Sequence, residues 1–514
     1  MDKAIQSPMN TGKQSPWSRS QWINRTQRRC KQHLRTILAM KARNKALRQS
    51  AEVPFLHQAH LEQKFPLTSL NHYFNLQRLY IATQLVNPKG KPGVDRQTLE
   101  DFIAYTDLKV VVDEVKSRTY RHSPHRQVDI PKPDGSPRTL MIPIFKDRVI
   151  QWTWLLIIGP ILDGVFLNCS YGYRPNRNCH QAIHDIDSVI NEHTRVWVVD
   201  ADISEFFDNV PQQPLMGITR LYFTDSVLLH SIESMLGSIK QKKSKGKSSP
   251  TGIPQGGVLA PLLSNLFLHH VLDLYFYESI LPTLKGWGKL VRYADDFIVL
   301  CGSEADARLA HQMIQERIEQ YGLSLNPKKT TIRNISNPNS DPMAEGENPR
   351  LLNFLGIELS WHGAGDGNYQ LQYRTAEKRR EKAIQKWKAR FRKYEQEWSE
   401  GNIPDLIGKL QSSAIYGING FNNHYGIAGN LQALKEYEEQ VYLEAAQFLD
   451  GHPTVGQSQL NPFTEDFERI WPSVKMRTLP ELANSSRIAD SAYENSQSGK
   501  EGSMGQMIRS PSKF

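Results

Sequence analysis

Apolar positions follow two rhythms along most of the chain. From about Leu67 to Leu359, apolar segments of strand length alternate with stretches of helical spacing. No linker rich in Ser, Gly or Pro interrupts them, so the pattern predicts one mixed α/β block. Within it, RVWVVDADISEFFDNV (Arg195–Val210) reads as an apolar strand ending on Asp200 and Asp202, then a turn and a helix. KLVRYADDFIVLC (Lys289–Cys301) reads as a β-hairpin with Asp295 and Asp296 at its tip, and Val258–Leu272 as an apolar helix. Around residues 374–393, Ile384, Trp387, Phe391, Tyr394 and Trp398 keep helical offsets, which predicts an amphipathic helix with one greasy stripe and a cationic opposite face. A second helical stretch follows from about Ile403 to Leu449. Beyond Pro453 the pattern weakens, and from about Asn484 the chain is polar, Ser-rich and expected to be disordered.

Charge changes this picture at one end. The chain holds 63 Lys and Arg against 53 Asp and Glu, a net +10, yet residues 1–50 alone carry 12 of the basic residues and a single acid, Asp2. One end therefore meets a polyanion, for which nucleic acid is the commonest candidate, while the body is balanced. Ile23, Cys30, Leu34, Leu38 and Leu47 keep a helical rhythm through that basic extension. The most apolar run, Trp152–Leu162, stops at Asp163 well short of the roughly 18 residues of a membrane span, and predicts a buried helix or turn. With no apolar signal segment at the N-terminus either, the expected setting is cytoplasmic, without a membrane partner. Cys30, Cys169, Cys179 and Cys301 show neither paired nor metal-binding spacing and read as inert thiols.

The acidic residues carry the chemistry. Two carboxylates about 4 Å apart repel by roughly 4 kcal/mol at an effective dielectric near 20. An isolated Asp-Asp pair most often closes a solvated turn, but here a third carboxylate stands at a strand end. Asp200 and Asp202 lie two residues apart, on one face. One of them with Asp295 and Asp296 would supply the oxygen ligands that a pair of Mg²⁺ ions needs for in-line phosphoryl or nucleotidyl transfer. Between the acidic segments, Gly252, Gly256 and Gly257 let the backbone approach a neighbour closely ahead of the apolar helix.

Taken in order, these boxes resemble the reverse transcriptases encoded by bacterial group II introns. YADD (Tyr293–Asp296), DISEFFD (Asp202–Asp208) and PQGGVLAPLLSN (Pro254–Asn265) resemble that family's palm motifs. KGKPGVD (Lys89–Asp95), IPKPDGSPRTLMIPIFKDRVIQ (Ile130–Gln151) and SYGYRPNRNCHQAI (Ser170–Ile183) resemble its finger motifs. LSLNPKKT (Leu323–Thr330) and NFLGIEL (Asn353–Leu359) resemble its later palm motifs, and GINGFNNHYGIAGN (Gly417–Asn430) a thumb motif shared with maturases.

The resemblance implies an α/β (α+β) right-hand polymerase, with fingers and an antiparallel-sheet palm over residues 61–370 and a helical, maturase-like thumb over 371–455. The basic extension at 1–60 and a divergent tail at 456–514 would flank them. Its activity would be RNA-directed DNA polymerisation, with two Mg²⁺, or Mn²⁺ in their stead, held by Asp202, Asp295 and Asp296. Asp200 competes with Asp202, and the Phe206-Phe207-Asp208 spacing favours Asp202. Lys132 and Arg138 would grip the triphosphate, Phe207 would exclude a ribose 2′-OH, and Gln255 would touch the incoming nucleotide or template. Lys328 or Lys329 would protonate the pyrophosphate. Asn353, Phe354, Leu355 and Gly356 would form the primer grip. Arg174, whose other reading is a buried ion pair, joins Lys242, Lys243, Arg379, Arg380, Lys386 and Arg390 as candidate nucleic-acid contacts. Partners would be an RNA template (an intron RNA or a dedicated non-coding RNA), a DNA or RNA primer, and dNTPs. After Glu444 the chain departs from the maturase pattern and no nuclease region follows, which argues against mobility through a nuclease of its own. Two other programmes stay open: recruitment to antiphage defence, and a maturase-type splicing factor with incidental polymerase activity.

Overall fold

The computed structural model describes residues 65–131, 137–239, 250–342, 350–363, 365, 367–397 and 430–450, with 417–418, 421–422 and 424–427 between the last two. The expected N-terminal extension, Lys132, Lys242, Lys243, Trp398 and the tail at 456–514 lie outside the described residues.

Three short helices come first: α1 (Leu76–Leu85), α2 (Leu99–Tyr105) and α3 (Leu108–Lys116). Local chemistry sets their starts. Thr98 and Asp101 close a capping box on α2, and the Asp107 side chain accepts from Lys109 N at the head of α3. Strands β1 (Arg126–Pro131) and β2 (Pro137–Ile142) form an antiparallel hairpin, with Ile130 opposite Arg138. Helix α4 (Phe145–Asp163) contains the apolar run read as buried, and Trp154, Ile157, Ile158, Ile161 and Leu162 are indeed core residues. Helix α5 (Cys179–Glu192) begins at a second capping box, Asn178 with Gln181.

Strand β3 (Trp197–Asp202) then leads into α6 (Phe206–Asn209), α7 (Gln212–Tyr222), α8 (Ser226–Gly237) and α9 (Ala260–Leu268). The helix expected over Val258–Leu272 changes character at His269, where a π-helical turn, His269–Asp273, takes over. Strands β4 (Gly288–Tyr293) and β5 (Asp296–Cys301) make the expected hairpin, followed by α10 (Glu304–Gln320) and β6 (Thr331–Asn334). Together they build a four-stranded antiparallel sheet ordered β4-β5-β3-β6.

Both faces of this sheet are covered, which explains why its strands read as nearly continuous apolar runs. Val199, Ala201, Phe297 and Val299 join one core with Leu266 and Phe267 of α9 and Ala307, Ala310 and Ile314 of α10. Their alternates, Val198, Val291, Ile298 and Leu300, join a second core with Ile183, Ile186 and Ile190 of α5. Each aliphatic side chain so buried contributes about 1.5–3 kcal/mol. The sheet is therefore a stiff plate, and the aspartates sit where its strands run out.

Strands β7 (Leu351–Phe354), β8 (Ile357–Gly363) and β9 (Tyr369–Thr375) form a separate three-stranded meander whose inner face completes the second core. Leu355 and Gly356, with φ of 54° and 82°, make the tight two-residue turn from β7 to β8. Helix α11 (Glu377–Glu397) follows and packs on α12 (Leu431–Asp450). Its stripe is as expected: Ile384, Trp387 and Phe391 are buried against Tyr437, Val441 and Ala445, and Trp387 Nε1 donates to Tyr437 Oη at 2.8 Å.

Candidate active site

The strand register brings the carboxylates together. In the β3–β5 ladder Asp202 stands directly opposite Asp296, with Asp200 one rung-pair further in, opposite Ile298. Asp295 occupies the two-residue turn between Tyr293 and Asp296, after Ala294, which has a left-handed backbone at φ 59°. Like charges directly opposite each other across two strands destabilise a sheet. Burial first, and that repulsion second, raises their pKa values. Loss of solvent around the Asp296 carboxyl chiefly, with Asp295 and Asp202 adding like charge, pushes it up to about 7. Burial chiefly, with Asp202 adding to it, raises Asp295, and burial raises Asp200 to about 6.

One cation answers this crowding directly. Lys329 Nζ lies 2.8 Å from Asp202 Oδ2, and that hydrogen bond, with Asp296 and Asp295 nearby, raises the ammonium's pKa. Of the two lysines singled out from sequence, Lys329 is the one on the cluster; Lys328 is exposed, its backbone N–H donating to Asn326 Oδ1. Asn326 also anchors the strand end, its N–H donating to Asp202 O at 2.7 Å.

The turn that carries Asp295 is held from behind by a residue the sequence reading passed over. Arg292 is fully buried and bonds both oxygens of Asp273, at 2.7 and 2.5 Å. Its remaining terminal nitrogen reaches Asn265 Oδ1 and Ala294 O, each at 2.9 Å. Asn265 in turn donates to Gly172 O at 2.7 Å. Gly172 lies so close to the turn that a Cβ there would stand 2.5 Å from Ala294 N, so only glycine fits. The π-helical turn, β4 and the loop at 169–174 thus form one buried polar network behind the acidic tip.

The other sequence-selected residues fall into three settings. Arg138 is exposed on β2 and acts electrostatically on Asp295. Phe207 packs its ring edge-on to Phe206 beside the acidic strand end, and its carbonyl accepts from Ile253 N. Gln255 O accepts from Met141 N at 2.8 Å, and a Cβ at Gly256 would stand 2.6 Å from Met141 O, so the glycine loop is clamped to the β1–β2 hairpin. In the β7–β8 turn, Gly356 lies against Arg379 and the Tyr425 hydroxyl, while Asn353 is exposed and Phe354 buried.

Two cations turn inward rather than toward a partner. Arg174 directs its guanidinium to the Asp163 carboxylate at 2.7 Å and to the carbonyls of Asp163, Leu167 and Ser170, the buried ion pair of its other reading. Arg380 pairs with Glu436 of α12, leaving Arg379, Lys386 and Arg390 exposed on α11.

Residues 130–359 match the family model for reverse transcriptase (RNA-dependent DNA polymerase). The chain is 29% identical over 290 residues to protein YkfC of Escherichia coli, covering 50% of this chain and 76% of that protein. It is 26% identical over 440 residues to the group II intron-encoded protein LtrA of Lactococcus lactis, covering 70% of each. A telomerase from Candida albicans, solved with a fragment of telomeric RNA, aligns over 72% of this chain and 68% of its own with 11% identity and a TM-score of 0.36. No helix among the described residues is long and apolar enough to cross a membrane. Residues 130–359 carry a reverse transcriptase domain, and that match together with the group II intron-encoded relatives supports an RNA-directed DNA polymerase.

Proposed function

We propose that Asp202, Asp295 and Asp296 hold two Mg²⁺ ions, and that primer extension takes place over this acidic tip. The observation that carries it is the register: Asp202 opposite Asp296, with Asp295 in the adjoining turn, an arrangement costly without a cation. The donor set fits the ion. It offers hard carboxylate oxygens and no thiolate or imidazole, and Mg²⁺ takes one or two carboxylates and completes its shell with water and substrate phosphates. Among the described residues no group of three or more acidic, histidine or cysteine side chains is gathered closely enough to hold a metal ion by itself, so the assignment rests on the strand register. When bound, the ions would polarise the reacting phosphate and lower the pKa of the attacking hydroxyl.

The chain's own residues supply the rest. Lys132, which lies outside the described residues, and Arg138, on β2, neutralise the triphosphate. Lys329 is a protonated ammonium on the acidic cluster and donates its proton to the departing pyrophosphate. Phe207 closes the sugar pocket by volume. Asn353, Phe354, Leu355 and Gly356 hold the primer end, and Arg379, Lys386 and Arg390 track the phosphates of the template–primer duplex. The template is an RNA of the intron type, to which the names of the relatives point. The direct test is extension of a DNA primer with dNTPs on RNA and on DNA templates. Faster extension on RNA is expected, and extension confined to DNA, or independent of template, would overturn the reading. Sequencing the RNA that co-purifies with the chain separates an intron template from a short dedicated RNA of a defence system.

A pH effect follows from the acidic cluster. The folded pKa of Asp296, about 7, lies above its ordinary 3.8, so the native state binds more protons than the unfolded chain between those values. Metal-free protein should therefore lose stability as pH rises through that window, and Mg²⁺ should restore it at the alkaline end and do little at the acid end. Asp147, also raised to about 7 by burial, contributes in the same direction. The part owed to the site is the difference from Asp296→Asn, read as melting temperature against pH with and without Mg²⁺. Identical profiles for the two proteins would contradict it.

A further inference from the structure

Tyr173 is the exposed residue in an otherwise bolted loop. Before it, Tyr171 donates its N–H to Arg292 O and its hydroxyl to Asp185, and Gly172 is wedged against Ala294. After it, Arg174 is fastened to Asp163 and three carbonyls. Tyr173 itself is 63% exposed, with a left-handed backbone at φ 56°. A bulky side chain rarely adopts that conformation, and where the surroundings impose it, function is the usual reason. Its placement gives the reason here. The residue follows the one that touches the catalytic turn, and its phenol feels Asp295, Arg138 and Asp296. The exposed ring thus stands next to the residue wedged against the turn of Asp295, within electrostatic reach of both the finger cation and the acidic tip that a nucleotide would touch.

We propose that Tyr173 is a nucleotide-contacting residue whose ring face packs on the base of the incoming dNTP. This rests on the polymerase site described above. Single aromatic rings serve as sequence-tolerant platforms for bases, which suits an enzyme that accepts all four. Every hydrogen bond that fixes the loop comes from a neighbour, so the ring can be changed without loosening the catalytic turn.

The test is binding of the next dNTP to complexes of the full chain with a dideoxy-terminated primer on an RNA template. Tyr173→Gly tolerates positive φ and removes the ring; it should weaken dNTP binding by roughly tenfold while the primer–template still binds as in the parent. Tyr173→Phe keeps the ring face and should bind dNTP like the parent. Parental dNTP affinity in Tyr173→Gly would overturn the assignment, and so would a loss confined to primer–template binding, which would put the ring on the template strand. A parent chain that neither extends a primer nor binds dNTP would bring down the polymerase site itself, whereas an active parent with an unaffected glycine variant brings down only this assignment.

Discussion

Asp295→Ala should purify folded and extend a primer at no more than about one-thousandth of the parental rate. Charge stabilisation by a bound metal is worth several kcal/mol in the transition state, and each 1.36 kcal/mol is a factor of ten, so losing one of its carboxylates should cost on the order of 10³-fold or more. Folding is not the cause of the loss. Asp295 carries a raised pKa from burial and from Asp202, so its negative charge is a liability to the metal-free fold, and alanine removes that liability. Ala294 and Arg292, which shape the turn, are untouched by the change. The melting temperature without Mg²⁺ should stay level or rise while extension disappears. Near-parental extension by Asp295→Ala would remove the basis for a metal site here. Retained splicing or RNA binding by the same variant would separate a maturase role from polymerisation without affecting the assignment of the aspartates.

Much of this site is legible in sequence because its parts are local. The hairpin at YADD follows from two apolar runs flanking a short polar break, and its tight turn from there being only Ala294 and Asp295 between Tyr293 and Asp296. The amphipathic stripe of α11 is likewise a matter of 3.6-residue spacing. What escaped is non-local. Arginine in a strand reads as a surface residue, and nothing in the pattern says that Arg292 meets Asp273, 19 positions upstream, at zero exposure. Spacing alone puts Arg380 on the cationic face of α11, but Glu436 stands 56 positions away on α12 and draws it aside. The switch of α9 into a π-helical turn at His269 leaves the apolar spacing of the segment intact, so the period of the sequence cannot reveal it. Asp202 against Asp200 is an intermediate case: spacing to Phe207 favours Asp202, and the register adds the physical ground, since Asp202 faces Asp296 and Asp200 faces Ile298.

Arg292→Met should be the most destabilising single change near the site, by about 3–5 kcal/mol, because it leaves Asp273 as an uncompensated charge at zero exposure. It also strips the partners from Asn265 Oδ1 and Ala294 O, and an orphaned buried acceptor adds its own cost. Denaturant titration of the metal-free chain measures the loss. Adding Asp273→Leu to Arg292→Met should recover most of it, since a buried ion pair can be replaced by apolar side chains at little cost in stability. Polymerase activity should not return with stability. Ala294 holds a left-handed backbone at φ 59° under the grip of the Arg292 guanidinium, and a methionine offers its carbonyl nothing. Arg292→Lys makes the same point from the other side: it keeps the charge, but one ammonium cannot serve Asp273 bidentately while also reaching Asn265 and Ala294. That variant should fold and show a lowered kcat with little change in the affinity for primer–template. A stable double variant that polymerises at the parental rate would make Arg292 a fastener of the fold alone; a stable double variant that cannot polymerise makes the buried arginine the residue through which the fold sets the position of Asp295.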